Sequence, residues 1–184
     1  MRKHTLRWLA TTAVLFVATW TITGWSSLME LRHWREWEAV KLEAAEGELD
    51  GIRVRVREVT AAVVDNRPER GLVYVRIDVQ GAPEKMAAWM VCHITLLSPS
   101  GQTWQSLYQH EVRGAIKILA PDGKDNGDCN LSDVNENQPT SFDLIYRLPS
   151  AAFDDLTLSV SGYGVRPAAL RFPVKPEVRT FKAP

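Results

Sequence analysis

Two different periods divide this chain. From Gly51 onward apolar side chains recur at every second residue: Ile52, Val54 and Val56 alternate with Arg53, Arg55 and Arg57, and Val73, Val75, Ile77 and Val79 alternate with Tyr74, Arg76, Asp78 and Gln80. A period of two places one set of side chains on a core and the other in water, which is the pattern of a half-buried strand. The residues between these runs, Asp65 to Gly71, supply turn chemistry, so the two strands are expected to be antiparallel neighbours. A third strand is predicted over 88–97, with Met90, Cys92, Ile94 and Leu96 on one face. The turn Ser98, Pro99, Ser100, Gly101 then leads to a short strand around Trp104. Later runs read the same way: Phe142, Leu144, Tyr146 and Leu148, then Leu156, Leu158 and Val160, then Leu170, Phe172 and Val174. Many short strands separated by turns, with no helix read between them, predict a mainly β fold: an antiparallel β-sandwich of about seven strands of immunoglobulin-like type over 50–175. The tail 176–184 is expected to be loose.

The N-terminal part has neither alternation nor charge. Residues 8 to 29, from Trp8 to Met29, contain no charged side chain and are long enough as a helix to cross a hydrocarbon core of about 30 Å. Trp8, Trp20 and Trp25 lie toward the ends of the run, where indoles favour the membrane interface. The expectation is a single transmembrane signal anchor over 8–29, with 1–7 cytoplasmic and the remainder outside the cytosol. Basic residues flank the run on both sides (Arg2, Lys3 and Arg7 before it, Arg32, Arg35 and Lys41 after it), so charge alone selects the orientation only weakly. A cleaved signal peptide is the competing reading, because Gly24, Trp25 and Ser26 form a small-x-small triplet; no Cys follows that could carry a lipid anchor.

Between anchor and sandwich, residues 30–47 are rich in helix formers and free of Gly and Pro up to Gly47, which predicts a membrane-proximal stalk helix. Leu31, Trp34, Trp37 and Ala45 make an irregular apolar stripe on it. Trp34 and Trp37 are candidates for an interaction surface, resting on lipid or pairing with another envelope protein or a second copy of the chain.

Composition and charge narrow the classes. The chain has 184 residues, 45% hydrophobic and 24% charged, which suits one globular domain plus a targeting segment. Basic and acidic residues number 22 each, so no global field draws the protein to nucleic acid. The two cysteines, Cys92 and Cys129, fall in the segment placed outside the cytosol and are expected to pair.

Candidate chemistry is sparse. Asp122, Asn126, Asp128 and Asp133 imitate part of a calcium loop, with Gly127 at its sharp turn, but Lys124 stands where a carboxylate should ligate. A Ca²⁺- or ligand-binding sensor using the 122–133 loop is therefore the alternative function. Arg53, Arg55 and Arg57 form a basic strand face that could meet a polyanion or simply pair with neighbouring carboxylates. His93 lies beside Cys92 but on the opposite strand face, which disfavours a thiol–imidazole pair. No phosphate cradle, metal-spaced His set or nucleophile elbow is present, so neither a catalytic activity nor a cofactor is expected.

The segments from Tyr74 to Val79, from Leu96 to Trp104, and from Phe142 to Pro149 with its terminal Leu-Pro resemble the bacterial extracytoplasmic immunoglobulin-like domains found on lipoproteins and single-pass anchors. The resemblance covers about residues 50 to 175 and implies an interaction module of the cell envelope with no shared activity. The cysteine pair and the acidic loop depart from it.

Overall fold

One unbroken helix, α1 (Arg2–Trp34), carries the apolar run. In this computed structural model, which describes residues 2–34, 36, 38–131 and 140–182, the stretch Arg7–Trp25 is long and apolar enough to cross a membrane, and none of it is buried by protein. Its threonines complete a helix suited to lipid. Thr11, Thr12, Thr19 and Thr23 each donate to the carbonyl four residues earlier, so their hydroxyls need no water.

Beyond α1 the chain is mainly β. Among the described residues the strands are β1 (Glu38–Lys41), β2 (Glu46–Leu49), β3 (Ile52–Val64), β4 (Arg67–Gly81), β5 (Cys92–Leu97), β6 (Thr103–Gln105), β7 (Thr140–Pro149), β8 (Leu156–Gly162), β9 (Ala168–Val174) and β10 (Glu177–Phe181). Among the described residues two α-helices, α2 (Pro83–Trp89) and α3 (Gln109–Leu119), and two 3-10 turns, Ser150–Asp155 and Tyr163–Val165, interrupt them. The front sheet runs β1-β9-β8-β5-β6 and the back sheet β10-β3-β4-β7, with β2 also paired to β3. Apolar residues at alternate positions of β3, β4, β5, β7, β8 and β9 meet between the sheets, with Val54, Val75, Ile77, Leu96, Leu158 and Phe172 fully buried or nearly so. The strand periodicity read from the sequence thus describes this core.

The stalk helix predicted over 30–47 is not what forms. The helix stops at Trp34, and residues 38–41 and 46–49 are strands at the borders of the two sheets. Helix propensity is a weak prior that tertiary pairing overrides. Here β1 lies parallel to β9, β2 pairs antiparallel with β3, and Leu42 packs over Gly47, where a Cβ would stand 2.2 Å from its side chain. The stripe of Leu31, Trp34, Trp37 and Ala45 is therefore not one helical seam. Trp37 and Asp133 lie outside the described residues.

Other corrections have similar causes. The strand expected over 88–97 starts only at Cys92, because Pro83 opens a short helix at its first turn and that helix buries Met86 and Trp89. The tail expected to be loose from 176 forms β10, parallel to the second half of β3. The domain is accordingly wider than 50–175 and is not purely antiparallel.

The cysteines pair as expected. Cys92, opening β5, is bonded to Cys129 across a separation of 37 residues. Closing a loop of that size stabilises the folded state by on the order of 4 kcal/mol in the chain-entropy view. The backbone reinforces the bond, because the amide of Cys92 donates to the carbonyl of Cys129 at 3.1 Å.

Gly162 ends β8 directly beneath the indole of Trp89, and a Cβ there would come within 2.5 Å of the ring. Gly162→Ala should therefore destabilise the domain by about 1–3 kcal/mol through overpacking. Thermal unfolding of the full chain in detergent, followed by near-UV circular dichroism, measures this; an unchanged midpoint would contradict the packing.

Candidate functional site

The outward face of the back sheet is where most of the candidate residues gather. Alternation along β7 sends Phe142, Leu144 and Tyr146 into the core and turns Asp143 and Ile145 the other way. Register then sets Arg76 opposite Asp143, Tyr74 opposite Ile145, and Asp78 opposite Ser141. α3 covers one end of this face, because Val112, Ile116 and Leu119 recur at helical spacing and pack with Tyr74, Ile145 and Ala120. The other end stays polar.

Asp143 is fully buried there and accepts five hydrogen bonds. Tyr74 Oη (2.6 Å) and Arg76 Nε (2.8 Å) reach Oδ1, and the Asn126 amide (2.8 Å), Asn126 Nδ2 (2.9 Å) and Arg76 Nη2 (3.2 Å) reach Oδ2. The remaining capacity of the Arg76 guanidinium goes to Asp122, at 3.0 Å from both Nη atoms, and to the carbonyl of Lys124 at 3.3 Å. Thus Asp122 and Asn126, two members of the candidate calcium loop, are held together by a protein cation and its carboxylate. Asp128 stands apart: burial, with Asp125 nearby, pushes its carboxyl above the ordinary range. Among the described residues no cluster of three or more His, Cys, Asp or Glu could hold a metal ion.

The physical consequences follow from burial. Desolvation, then the bond to Asp143, pushes the Tyr74 phenol far above its usual range, and the bond to Asp143 raises Arg76 despite desolvation. The bond from Arg76, then that from the Lys124 amide, lowers Asp122 from 3.8 to about 2. With its lone pairs engaged, Asp143 serves as a clamp on the loop.

The basic row lies at the polar end. Arg53 and Arg55 share Glu46 of β2, at 3.3 and 4.0 Å, while a bulge between Val56 and Glu58 turns Arg57 onto Asp78, which also accepts from Ser141 at 2.7 Å. Each arginine has a carboxylate neighbour.

On the front sheet's outer face, Glu36 accepts from Ser159 Oγ and lies 3.1 Å from His93 Nδ1. Burial raises the Glu36 carboxyl, yet the bonds and charges of His93, Ser159 and Arg166 outweigh it and leave the group below the usual carboxylate range. The carboxylate stands between hydroxyl and imidazole, whereas a nucleophilic triad needs the imidazole between the other two. Beside this site a cleft of about 330 Å³ follows the free part of the β5 edge, lined by the disulfide, His93, Thr95, Gln105, Ser106 and Asp128. Trp34 closes α1, two residues before Glu36 joins this face.

Sequence reasoning missed Asp143, Tyr74, Arg76 and Glu36 as a group. The positions of Asp143, Tyr74 and Arg76 on outward strand faces were visible, but what covered those faces was not, and Glu36 lay in the run read as helix.

Removing the buried carboxylate alone, as in Asp143→Ala, should cost about 3–5 kcal/mol, because Tyr74 and Arg76 lose their buried acceptor and Arg76 keeps only the more exposed Asp122 as a counter-charge. The double change Arg76→Leu with Asp143→Leu should recover part of that loss in urea unfolding, and strict additivity would contradict the coupling. Asp122's folded pKa lies below its unfolded one, so its contribution is complete above about pH 4 and disappears as pH falls through about 2. Asp122→Asn should flatten that acid limb of a stability–pH curve.

Comparison with known proteins gives the following. No protein-family model matches this chain, and no curated protein does. A solved structure from Staphylococcus aureus, "Structure of a putative lipoprotein", is similar at 11% identity and a TM-score of 0.47, over 76% of this chain and 96% of that one.

Proposed function

We propose that this protein is a single-pass, membrane-anchored accessory or interaction protein of a bacterial cell envelope. In this reading the N-terminus is cytoplasmic and an immunoglobulin-like sandwich, without catalytic activity, is presented outside the cytosol. The observation that carries the reading is α1: Leu15, Phe16, Trp20, Ile22 and Trp25 are all more than 60% exposed within the stretch Arg7–Trp25, none of which is buried among the described residues. A continuous apolar surface of that kind is sustained in lipid and not in water. The Cys92–Cys129 bond supports the extracytoplasmic side, since disulfides persist in oxidising compartments. The compensated arginines and the saturated Asp143 network suit a stable scaffold that meets another envelope protein, or a second copy, through its surface.

The reading predicts that the mature protein keeps its N-terminus, stays with membranes after alkaline carbonate washing, and is digested by protease added outside intact spheroplasts. Its electrophoretic mobility should change on reduction. A mature chain beginning shortly after Ser26, found by N-terminal sequencing, would replace the anchor with a cleaved leader. Cross-linking in whole cells, followed by isolation of the intact protein, tests the partner. Turnover of an envelope substrate with no cross-linked protein would defeat the accessory role.

A further inference from the structure

One end of the sandwich is tied closely to the helix. α1 ends at Trp34 and β1 begins at Glu38, so the chain between them reaches at most about 14 Å. Midway along it, Glu36 is fixed on His93 and Ser159. Glu38 then pairs with Ala168, and its amide donates to the carbonyl of Pro167 at 3.3 Å. The chain therefore enters where β8 ends, β9 begins and β5 starts.

At that end three apolar side chains face outward. Cys92 pairs with Gly162, where the ladder ends, and the amide of Tyr163, which opens a 3-10 turn, donates to the carbonyl of Val91 at 3.1 Å. Alternation puts Val91 on the face of His93, the face on which Glu36 sits, and Tyr163 lies beside Val91 through that bond. Val91 is 51% exposed, Met90 47% and Tyr163 45%. Met90 moreover occupies φ +61°, where a side chain is disfavoured, and is held there by its amide's bond to Met86 and its carbonyl's bond from Leu131. The turn thus holds a strained residue and displays a large apolar side chain from it.

Depth agrees with this placement. If the uncharged stretch 8–29 fills the hydrocarbon, the last five residues of α1 rise about 7 Å further, roughly the thickness of one headgroup layer. The sandwich then starts at the membrane surface. Isolated apolar side chains on a surface are ordinary; these three lie on the end that the tether holds against the bilayer, where even weak contact is favoured by high effective concentration.

We infer that Met90, Val91 and Tyr163 form a second membrane contact, seated in the headgroup–acyl boundary of the same phospholipid bilayer that α1 crosses. The inference rests on the anchored reading above. Its test reconstitutes the full chain into phosphatidylcholine–phosphatidylglycerol vesicles containing a phospholipid with a diazirine on its acyl chain, followed by illumination and peptide mapping. Adducts are expected in α1 and also at Met90–Val91 and Tyr163, with none at the Ser98–Gly101 turn beyond the far end of β5. In the variant Met90→Asn, Val91→Thr, Tyr163→Gln, labelling of the sandwich should fall to the level of that turn while α1 stays labelled. Near-UV circular dichroism of the variant checks that the domain keeps its fold. Adducts in α1 alone, or sandwich labelling unchanged in a folded variant, would overturn the inference and leave the anchor standing. Absence of adducts in α1 would overturn the anchor itself.

Discussion

A carboxylate with no access to water, Asp143, sets the arrangement of the back half of this domain. Burying an ionised group costs several kcal/mol unless its lone pairs are satisfied, so whatever supplies the donors must be held in place. Three donors come from β4, one from Tyr74 and two from Arg76, and two more come from Asn126 in the loop after α3. The backbone adds a further tie, since the amide of Asp143 donates to the carbonyl of Gly127 at 3.1 Å. The loop is drawn across the sheet, and α3 before it is held over Tyr74 and Ile145.

Two residues beyond Gly127 the same loop reaches Cys129 and is bonded to β5 of the other sheet. An ionic clamp on the back sheet and a covalent one on the front sheet therefore fix opposite ends of one short segment. Either alone would leave a polar, turn-rich stretch with little apolar surface to bury, and such stretches are mobile. Together they turn the segment into a strap joining the sheets along the side where β5 has no neighbouring strand over its first residues.

How much of this is legible in the sequence depends on the range of the signal. Alternation in β3, β4, β7, β8 and β9 is local, and Val54, Val75, Leu144, Leu158 and Phe172 are buried as the alternation demands. The cysteine pairing follows from count and compartment. α3 carries a readable signal in Val112, Ile116 and Leu119, weakened by Gly114 and by the charged residues among them. β1 and β10 carry none, because their pairing with β9 and β3 joins distant segments, whereas β2 pairs with the adjacent β3 across the two-residue turn Asp50–Gly51, a local hairpin signal masked by a run whose composition favours helix. The acidic loop imitates a cation site, and the cation it meets, Arg76, lies 46 residues before Asp122 on a strand whose outward face reads as solvent-exposed.

The same limit explains Glu36. In sequence it is one charge among several in a run that favours helix, and its partners His93 and Ser159 lie 57 and 123 residues further on. In the fold it ties the segment that follows α1 to the outer face of β5 and β8. The tie uses a carboxylate whose charged form is favoured by an imidazole and a hydroxyl from two different strands, so a single charge placed early in the chain fastens together β5 and β8, which lie far apart in sequence.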